Sequence, residues 1–581
     1  LGETDFIEED ELLKYRDLGL AHILAVSGLH IGIIAAFIIF LLSRMGIERK
    51  INIIFTTSII WLYVTLIGSP ASAIRACLMF TILYCSQIFH EPYDTINSIF
   101  FSMVISLMIN PFWLFNIGFQ LSYMATLSIF LFTTQIKNLF YPWENNITTT
   151  ISSILAVFIG LMPIQSYYFN RIQPIGVITN LISVPLMTLA LIIAILMILF
   201  NYSFVFLNFI LGSVLELILK IQHEFIQIIY SFPINSMKVS SPDLSNMLLY
   251  YLLLAIIFHF IDVRELGQGV KKSIIYYLLI FLLVNSIFIN LDERIEVNFI
   301  DVGQGDSILI STQGSTILMD TGGSILEGFD IGKFITLSFL EKHGISNLDA
   351  IRITHFDADH YQGIYALMDE IGIGNIYASY IPEDMELLNQ LRKRNIPITI
   401  LKESDLLQLD NNTALEILWP QDNANLPALS ANNKSLVSKL SYKEFDMLLT
   451  GDIESETERL LLNKNIDNID IFKVPHHGSN TSSTITFIER VKPVNSIISV
   501  GRNNFYKHPN DEVLLRLNST SSNIFRTDEM GMIKLILDRD KYYISYYLKN
   551  YNSNDIKIKN ISILTTLVLY FLISYILIRN Y

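Results

Sequence analysis

The chain changes texture once, at about residue 291, and that change decides what it can fold into. From Ala21 to Leu291, apolar runs of near-bilayer length follow one another: Ile23–Leu42, Ile51–Gly68, Ile96–Ile109, Phe119–Phe132, Ile151–Met162, Ile175–Phe200, Phe204–Leu219, Met247–Ile261 and Ile274–Leu291. About 20 apolar residues span a bilayer as a helix, so this half predicts roughly nine to eleven helices, some broken or interfacial where Pro163, Pro174 and Pro185 interrupt. From Asp292 to about Asn550 charge becomes frequent and apolar runs shrink to strand length between Gly-rich turns. That is the pattern of a soluble domain. Ile561–Ile578 then reads as one more transmembrane helix.

Composition agrees with this division. Only 16% of the 581 residues are charged, against about a quarter in soluble domains. The net charge of -14 excludes a global attraction for nucleic acid, so any such contact is local. Cys77 and Cys85 lie in an apolar segment and read as packing residues rather than a disulfide. Arg44, Arg49 and Lys50, and later Arg264, Lys271 and Lys272, mark basic loops, whereas Glu91, Asp94, Asp292 and Glu293 mark acidic junctions. Basic loops face the cytoplasm, which puts the soluble domain outside. The acidic start at Leu1, without Met, reads as a truncation with no signal peptide.

In the soluble half, expected strands repeatedly finish in Asp or His. Thr316–Met319 leads to Asp320, Ala350–Thr354 to His355-Phe356-Asp357-Ala358-Asp359-His360, and Met447–Thr450 to Gly451-Asp452. Ile471–Val474 leads to Pro475-His476-His477-Gly478-Ser479, and Ile497–Val500 leads on to His508. Five of the six histidines after Leu291 lie at such ends; His343, in a helical pattern, does not. A layered α/β fold gathers strand ends at one edge. Mixed imidazole and carboxylate ligands suit two divalent cations, and paired cations usually mean hydrolysis, often of a phosphoester.

These motifs resemble the metallo-β-lactamase superfamily, with Asp357 where many members have a second histidine. Asp301-Val302-Gly303-Gln304-Gly305-Asp306-Ser307, Leu318-Met319-Asp320-Thr321-Gly322, Leu449-Thr450-Gly451-Asp452 and His476-His477-Gly478-Ser479 complete the pattern as it stands in the ComEC family of competence DNA-uptake channels. The membrane half is similar to the same family at His22–Gly32, Ser69–Ala76 and Pro111–Ser122. The resemblance implies a multi-pass α-helical membrane domain, an αββα metallo-β-lactamase-like domain and one C-terminal transmembrane helix. The corresponding divisions are 1–20, 21–291, 292–555 and 556–581. Two family features are missing: the helices and OB-fold-like domain before His22, and a histidine between residues 360 and 476.

By the resemblance, one metal takes His355, Asp357 and either His476 or His477, and the other takes Asp359, His360 and His508. Asp452 bridges the two and Asp320 supports a ligand from behind. The carboxylate-rich set favours Mn²⁺ over Zn²⁺ more than an all-histidine site would. The implied function is passage of single-stranded DNA across the cytoplasmic membrane while an external nuclease degrades the other strand. Partners follow by resemblance: DNA, membrane lipid, a DNA receptor and a cytoplasmic ATPase, with homo-oligomers left open. The alternatives are a membrane-tethered hydrolase for another phosphodiester or an envelope polymer, and a channel whose soluble domain only grips DNA. Lys473, Lys492, Arg502 and Lys507 either hold phosphates or are solvated surface charges.

Polar residues in the apolar half are further candidates. Arg75 meets a phosphate or pairs with a carboxylate such as Glu216. His22 and His30 flank Ser27-Gly28, where a helix can break. Glu216, Lys220, His223 and Gln227 form one polar stripe that lines a pore or lies along the interface. Gln165, Asn170, Gln173 and Asn180, among prolines, suggest broken helices around a polar cavity. No GxxxxGK[ST] motif occurs, so transport energy comes from a partner.

Overall fold

The computed structural model describes residues 7–258, 294–538 and 541–548, apart from 144, 201–203, 233–234, 324–328 and 422–427. These fall into two compact units on either side of the interval 259–293. The expected helices Ile274–Leu291 and Ile561–Ile578, and the basic cluster at 264–272, lie outside the described residues.

The first unit is helical: α1 (Glu9–Asp17), α2 (Ala21–Leu24), α3 (Gly28–Arg44), α4 (Arg49–Leu66), α5 (Ala71–Phe89), α6 (Thr95–Ile109), α7 (Ile117–Asn138), α8 (Asn146–Phe169), α9 (Gly176–Phe200), α10 (Val205–Tyr230) and α11 (Leu244–Ile257). Five of them (α5, α7, α8, α9 and α10) are long and apolar enough to cross a membrane, and α3, α6 and α11 are shorter apolar helices. The protein is thus a multi-pass membrane protein. The run Ile23–Leu42 is not one helix, because the chain breaks between α2 and α3 at Ala25–Ser27. Conversely, α7 and α8 outrun the apolar stretches that announce them. Their hydroxyl residues bond back to the helix, as Thr126 Oγ1 does to Ser122 O and Ser152 Oγ to Thr148 O, so polar side chains do not end the spans. Pro163 and Pro185 likewise sit inside continuous helices. The chain does turn at Asn170, whose left-handed backbone caps α8. The short strands β1 (Arg171–Ile172) and β2 (Met237–Lys238) pair beyond it.

The second unit stacks two sheets. One has the order β17-β16-β3-β4-β5-β6-β7-β8, with β3 at Ile295–Phe299, β4 at Ile308–Ser311, β5 at Thr316–Met319, β6 at Asn347–Arg352, β7 at Gly372–Ala378, β8 at Ile398–Ile400, β16 at Ile533–Asp538 and β17 at Lys541–Tyr546. The other has the order β15-β14-β13-β12-β11-β10-β9, with β9 at Leu406–Asp410, β10 at Thr413–Trp419, β11 at Val437–Tyr442, β12 at Phe445–Leu449, β13 at Ile471–Lys473, β14 at Asn495–Ile498 and β15 at Asn523–Arg526.

Side-chain alternation explains the layering. Ile308, Ile310, Met447, Leu449 and Ile471 enter the core shared by the two sheets. Their neighbours point the other way. Leu309 meets Leu367 and Leu340 in one helical layer, and Leu448 and Phe472 meet Phe487 and Leu461 in the other. Strands buried on both faces need near-continuous apolar runs, which is what the sequence has there. Four layers result, in the order αββα, and every member of these cores lies in the second unit.

Candidate metal centre

The layers bring the carboxyl ends of β5, β6, β12 and β13 together, and the chain turns sharply just beyond them. Asp320, His476 and His477 have φ of 55°, 51° and 53°. Left-handed backbone is uncommon outside glycine and asparagine, and it collects where a side chain must be aimed. Gly305 closes the β3–β4 turn over the same place. A Cβ there would stand 2.3 Å from the Asp359 carbonyl oxygen, so no other residue fits without moving the Asp359 loop.

Hydrogen bonds set the histidine tautomers. Asp320 accepts from Thr354 N–H and Thr354 Oγ1, both at 2.7 Å, and lies 2.9 Å from His360 Nδ1. A carboxylate only accepts, so His360 carries its proton on Nδ1. His477 Nδ1 donates in the same way to the Ser499 carbonyl at 2.9 Å. Both Nε2 lone pairs therefore face inward. His360 Nε2 is 3.3 Å from Asp452 Oδ2, and His477 Nε2 is 3.1 Å from the same oxygen and 3.5 Å from Asp359 Oδ2.

Among the described residues, the buried Nε2 atoms of His355, His360 and His477 have no hydrogen-bond partner. Lone pairs aimed at carboxylate oxygens repel unless a cation lies between them, so these residues fit divalent-cation binding. Ligand atoms approach within 4.8 Å of one another in four groups: His355 with His360 and Asp452, Asp359 with His360 and His477, Asp306 with Asp452 and His477, and Asp306 with Asp320 and His360.

This distribution differs from the ligand division expected by resemblance. His477 sits with Asp359 and His360 rather than with His355 and Asp357. Asp357 lies 3.5 Å from His355 Nε2 on a side chain 47% exposed. His476 and His508 join none of the groups among the described residues. Instead, His476 contacts Thr481 Oγ1 (3.1 Å) and Asn432 Nδ2 (3.3 Å), and its ring lies 5.9 Å from that of His508. The left-handed turn keeps the two adjacent rings apart, their centroids 6.4 Å from each other.

Charge at the centre is strongly coupled. Burial disfavours protonated His477, but the neighbouring carboxylates, Asp452 first and then Asp359 and Asp306, outweigh it and lift the pKa to about 10. Burial likewise opposes ionised Asp452, yet His477, His360 and Lys473 hold its carboxyl well below the usual range. Cation-free imidazoles thus hold protons that metal binding would release. His508 behaves oppositely: burial, then His476 and His477, push it down to about 4.

Lys473 is neither a surface charge nor a free phosphate ligand, the two roles open to it from sequence. It is 0% exposed, the last residue of β13, in a strand covered on both faces. Its ammonium is in ion-pair contact with buried Asp306 and lies 3.4 Å from Asp452 Oδ1. Asp306 and Lys473 are the site residues that motif reading left out of the candidate ligand set. Lys492, Arg502 and Lys507 are exposed.

Two helix-flanked sheets with a buried histidine–aspartate cluster at their strand ends define a metallo-β-lactamase-fold domain of the metal-dependent hydrolase class, carried on a polytopic membrane protein. Residues 1–264 match the family model described as Competence protein, and residues 300–410 match that of the metallo-beta-lactamase superfamily. The chain is 31% identical to ComE operon protein 3 of Bacillus subtilis (strain 168), over 92% of this chain and 70% of that one. It is 24% identical to Recombination protein 2 of Haemophilus influenzae, over 94% and 71%. The metallo-beta-lactamase fold protein YhfI from Bacillus subtilis superposes with a TM-score of 0.29 at 10% identity, over 44% of this chain and all of that one. The chain belongs to the ComEC family of competence proteins.

Proposed function

We propose that the chain is a DNA-internalisation channel, residues 21–291, joined to an external two-cation nuclease, residues 292–555, that degrades the strand not transported. The observation that carries this is the set of buried, partnerless Nε2 atoms facing carboxylates in a hydrolase fold, on a chain of the competence family with membrane-crossing helices. Asp359, His360, His477 and Asp452 would hold one cation. His355 and Asp357 would hold the other, with Asp452 within reach of both. Such cations supply Lewis acidity toward a phosphoryl oxygen and acidify a water molecule.

The chain's own residues supply orientation and charge balance. Asp320 locks His360 through Nδ1, and Lys473 fixes Asp452 from below. His476 and His508, both pushed below their ordinary pKa with burial as the main cause, are neutral at pH 7 and each has one N–H for the phosphodiester, His476 by releasing Thr481 Oγ1. DNA receptor and ATPase partners complete the machinery, since the chain has no phosphate-loop motif of its own.

Residues 292–555 incubated with linear single- and double-stranded DNA test the nuclease. Cleavage is expected in Mn²⁺ at least as fast as in Zn²⁺ at equal occupancy, and none in EDTA or in Asp359→Ala. A folded, metal-loaded domain that cleaves no DNA overturns the nuclease and favours an envelope substrate. Asp320→Asn is expected to weaken metal retention about 10–100-fold, the usual cost of losing an outer partner of a ligating histidine. Competition with a chromophoric chelator measures it.

A further inference from the structure

Arg75 is a guanidinium near the start of a bilayer-length helix, α5, and among the described residues it has no counter-charge. Its Nε donates to Ser122 Oγ and its Nη1 to Thr126 Oγ1, each at 2.7 Å, and Met79 Sδ lies 3.4 Å from Nη1. Those hydroxyls and the Tyr123 ring, whose centroid lies 5.7 Å from the guanidinium carbon, are all on α7; they orient the group and ease its burial without supplying a negative charge. Among the described residues no carboxylate pairs with it. Glu216, the acid that the sequence offers, is taken by Lys220 at 2.8 Å on a face of α10 where both side chains are more than 60% exposed. The rest of that polar stripe goes elsewhere: Gln227 donates to Glu11 at 2.9 Å and His223 lies 3.7 Å from it.

The remaining nitrogen faces a second positive group. A Cβ on Gly28 would stand 2.7 Å from Arg75 Nη2, so the first turn of α3 lies directly against the guanidinium. A helix N-terminus carries partial positive charge and unbonded N–H groups. Here a capping box takes two of them: the Ser27 N–H donates to His30 Nδ1 at 3.1 Å and the His30 N–H returns to the Ser27 side chain, so that among the described residues the Gly28 and Leu29 N–H groups are the ones left for a ligand. The break between α2 and α3 makes this a discontinuous helix, the arrangement that presents N-termini to anionic substrate groups in transporters. Ser72 Oγ pins the break by donating to Val26 O at 3.0 Å. Two positive ends with no acid between them among the described residues make a place that favours an anion. The site faces α3 and α7, which both pack on α5, and so looks into the bundle rather than toward lipid.

We propose that Arg75 and the first turn of α3 form a phosphate-binding station inside the membrane unit, and that its occupant is a phosphodiester of a single nucleic-acid strand in transit. The assignment of the occupant rests on the channel reading above.

The test uses the full chain in dodecyl maltoside, which holds no phosphate, with EDTA present to prevent cleavage. Anisotropy of fluorescein-labelled (dT)20 is followed across a salt series. Arg75→Gln is expected to weaken binding about tenfold or more, the scale of one charge-assisted hydrogen bond. It should also flatten the slope of log affinity against log salt by about 0.7, one phosphate contact on a single strand. Arg75→Lys should fall between, keeping charge but losing the fork.

Gly28→Ala guards against misfolding. It suits a helix, keeps Arg75, and meets only the movable guanidinium and the Ala76 methyl. It should reproduce most of the loss. Unchanged affinity and slope in both variants overturns the station. Failure of the wild type to bind (dT)20, with phosphatidylglycerol retained by wild type and lost from Arg75→Gln in native mass spectra, overturns the strand and assigns a lipid phosphate. Binding of neither overturns the site. A chain that binds (dT)20 through Arg75 yet supports no DNA entry in cells that supply the receptor and ATPase overturns the channel reading and leaves the station standing.

Discussion

Lys473→Met is expected to destabilise residues 292–555 by about 3–5 kcal/mol in EDTA, the scale for stranding a buried charge. Lys473 and Asp306 are both 0% exposed and in contact, and Asp452 Oδ1 is 3.4 Å from the ammonium. Methionine fills the space but leaves buried Asp306 without its ammonium, and Asp452 balanced by the protonated imidazoles alone. Two conditions should relieve the penalty. Saturating Mn²⁺ neutralises part of the same charge, so the loss relative to wild type should shrink when both proteins are metal-loaded. Asp306→Asn added to Lys473→Met removes one stranded charge, so the double variant should be more stable than Lys473→Met alone. Urea unfolding with and without Mn²⁺ reads all three. The comparison is between variants at equal metal, because metal binding stabilises any competent fold by mass action. A Lys473→Met domain within about 0.5 kcal/mol of wild type, the range of ordinary surface changes, would mean that the ion pair carries no weight.

The sequence made the edge of the hydrolase fold legible because strand ends and ligands coincide in it. Thr316–Met319 is a strand to the residue, and Asp320, Asp452 and His477 stand where the texture placed them. What stayed hidden depends on groups that motifs do not carry. The tautomer that aims His477 inward is set by the Ser499 carbonyl, a backbone atom. Lys473 resembled any lysine beside a motif. The available signal was its place in an apolar strand, where a cation survives only beside a carboxylate, and Asp306 was the unassigned acid of the first motif. In the membrane half, α5 escaped the list of apolar runs because Arg75 and small residues dilute it. That dilution is itself the mark of a packed, functional helix.

His477→Gln should abolish phosphodiester cleavage by a factor on the order of 10⁴ or more, as when one member of a group acting as a unit is removed. Its Nε2 converges with Asp359 and Asp452 at 3.5 and 3.1 Å, and an amide offers no equivalent lone pair at that point. Metal content measured by inductively coupled plasma mass spectrometry should fall with the activity. His476→Gln should act differently although the residues are adjacent. Its ring nitrogens contact Thr481 and Asn432, and glutamine can replace much of that bonding. The expected loss is about 10²–10³ in kcat, the scale of one donor to a developing charge, with metal content unchanged. Metal lost from His476→Gln and retained in His477→Gln would exchange the two roles. It would also mean that the left-handed turn at Pro475–Gly478 aims its side chains opposite to the arrangement described. Metal lost from both would make the pair a single ligand unit, and the phosphoryl contact would then fall to His508, which sits next to His476 and is neutral at the same pH.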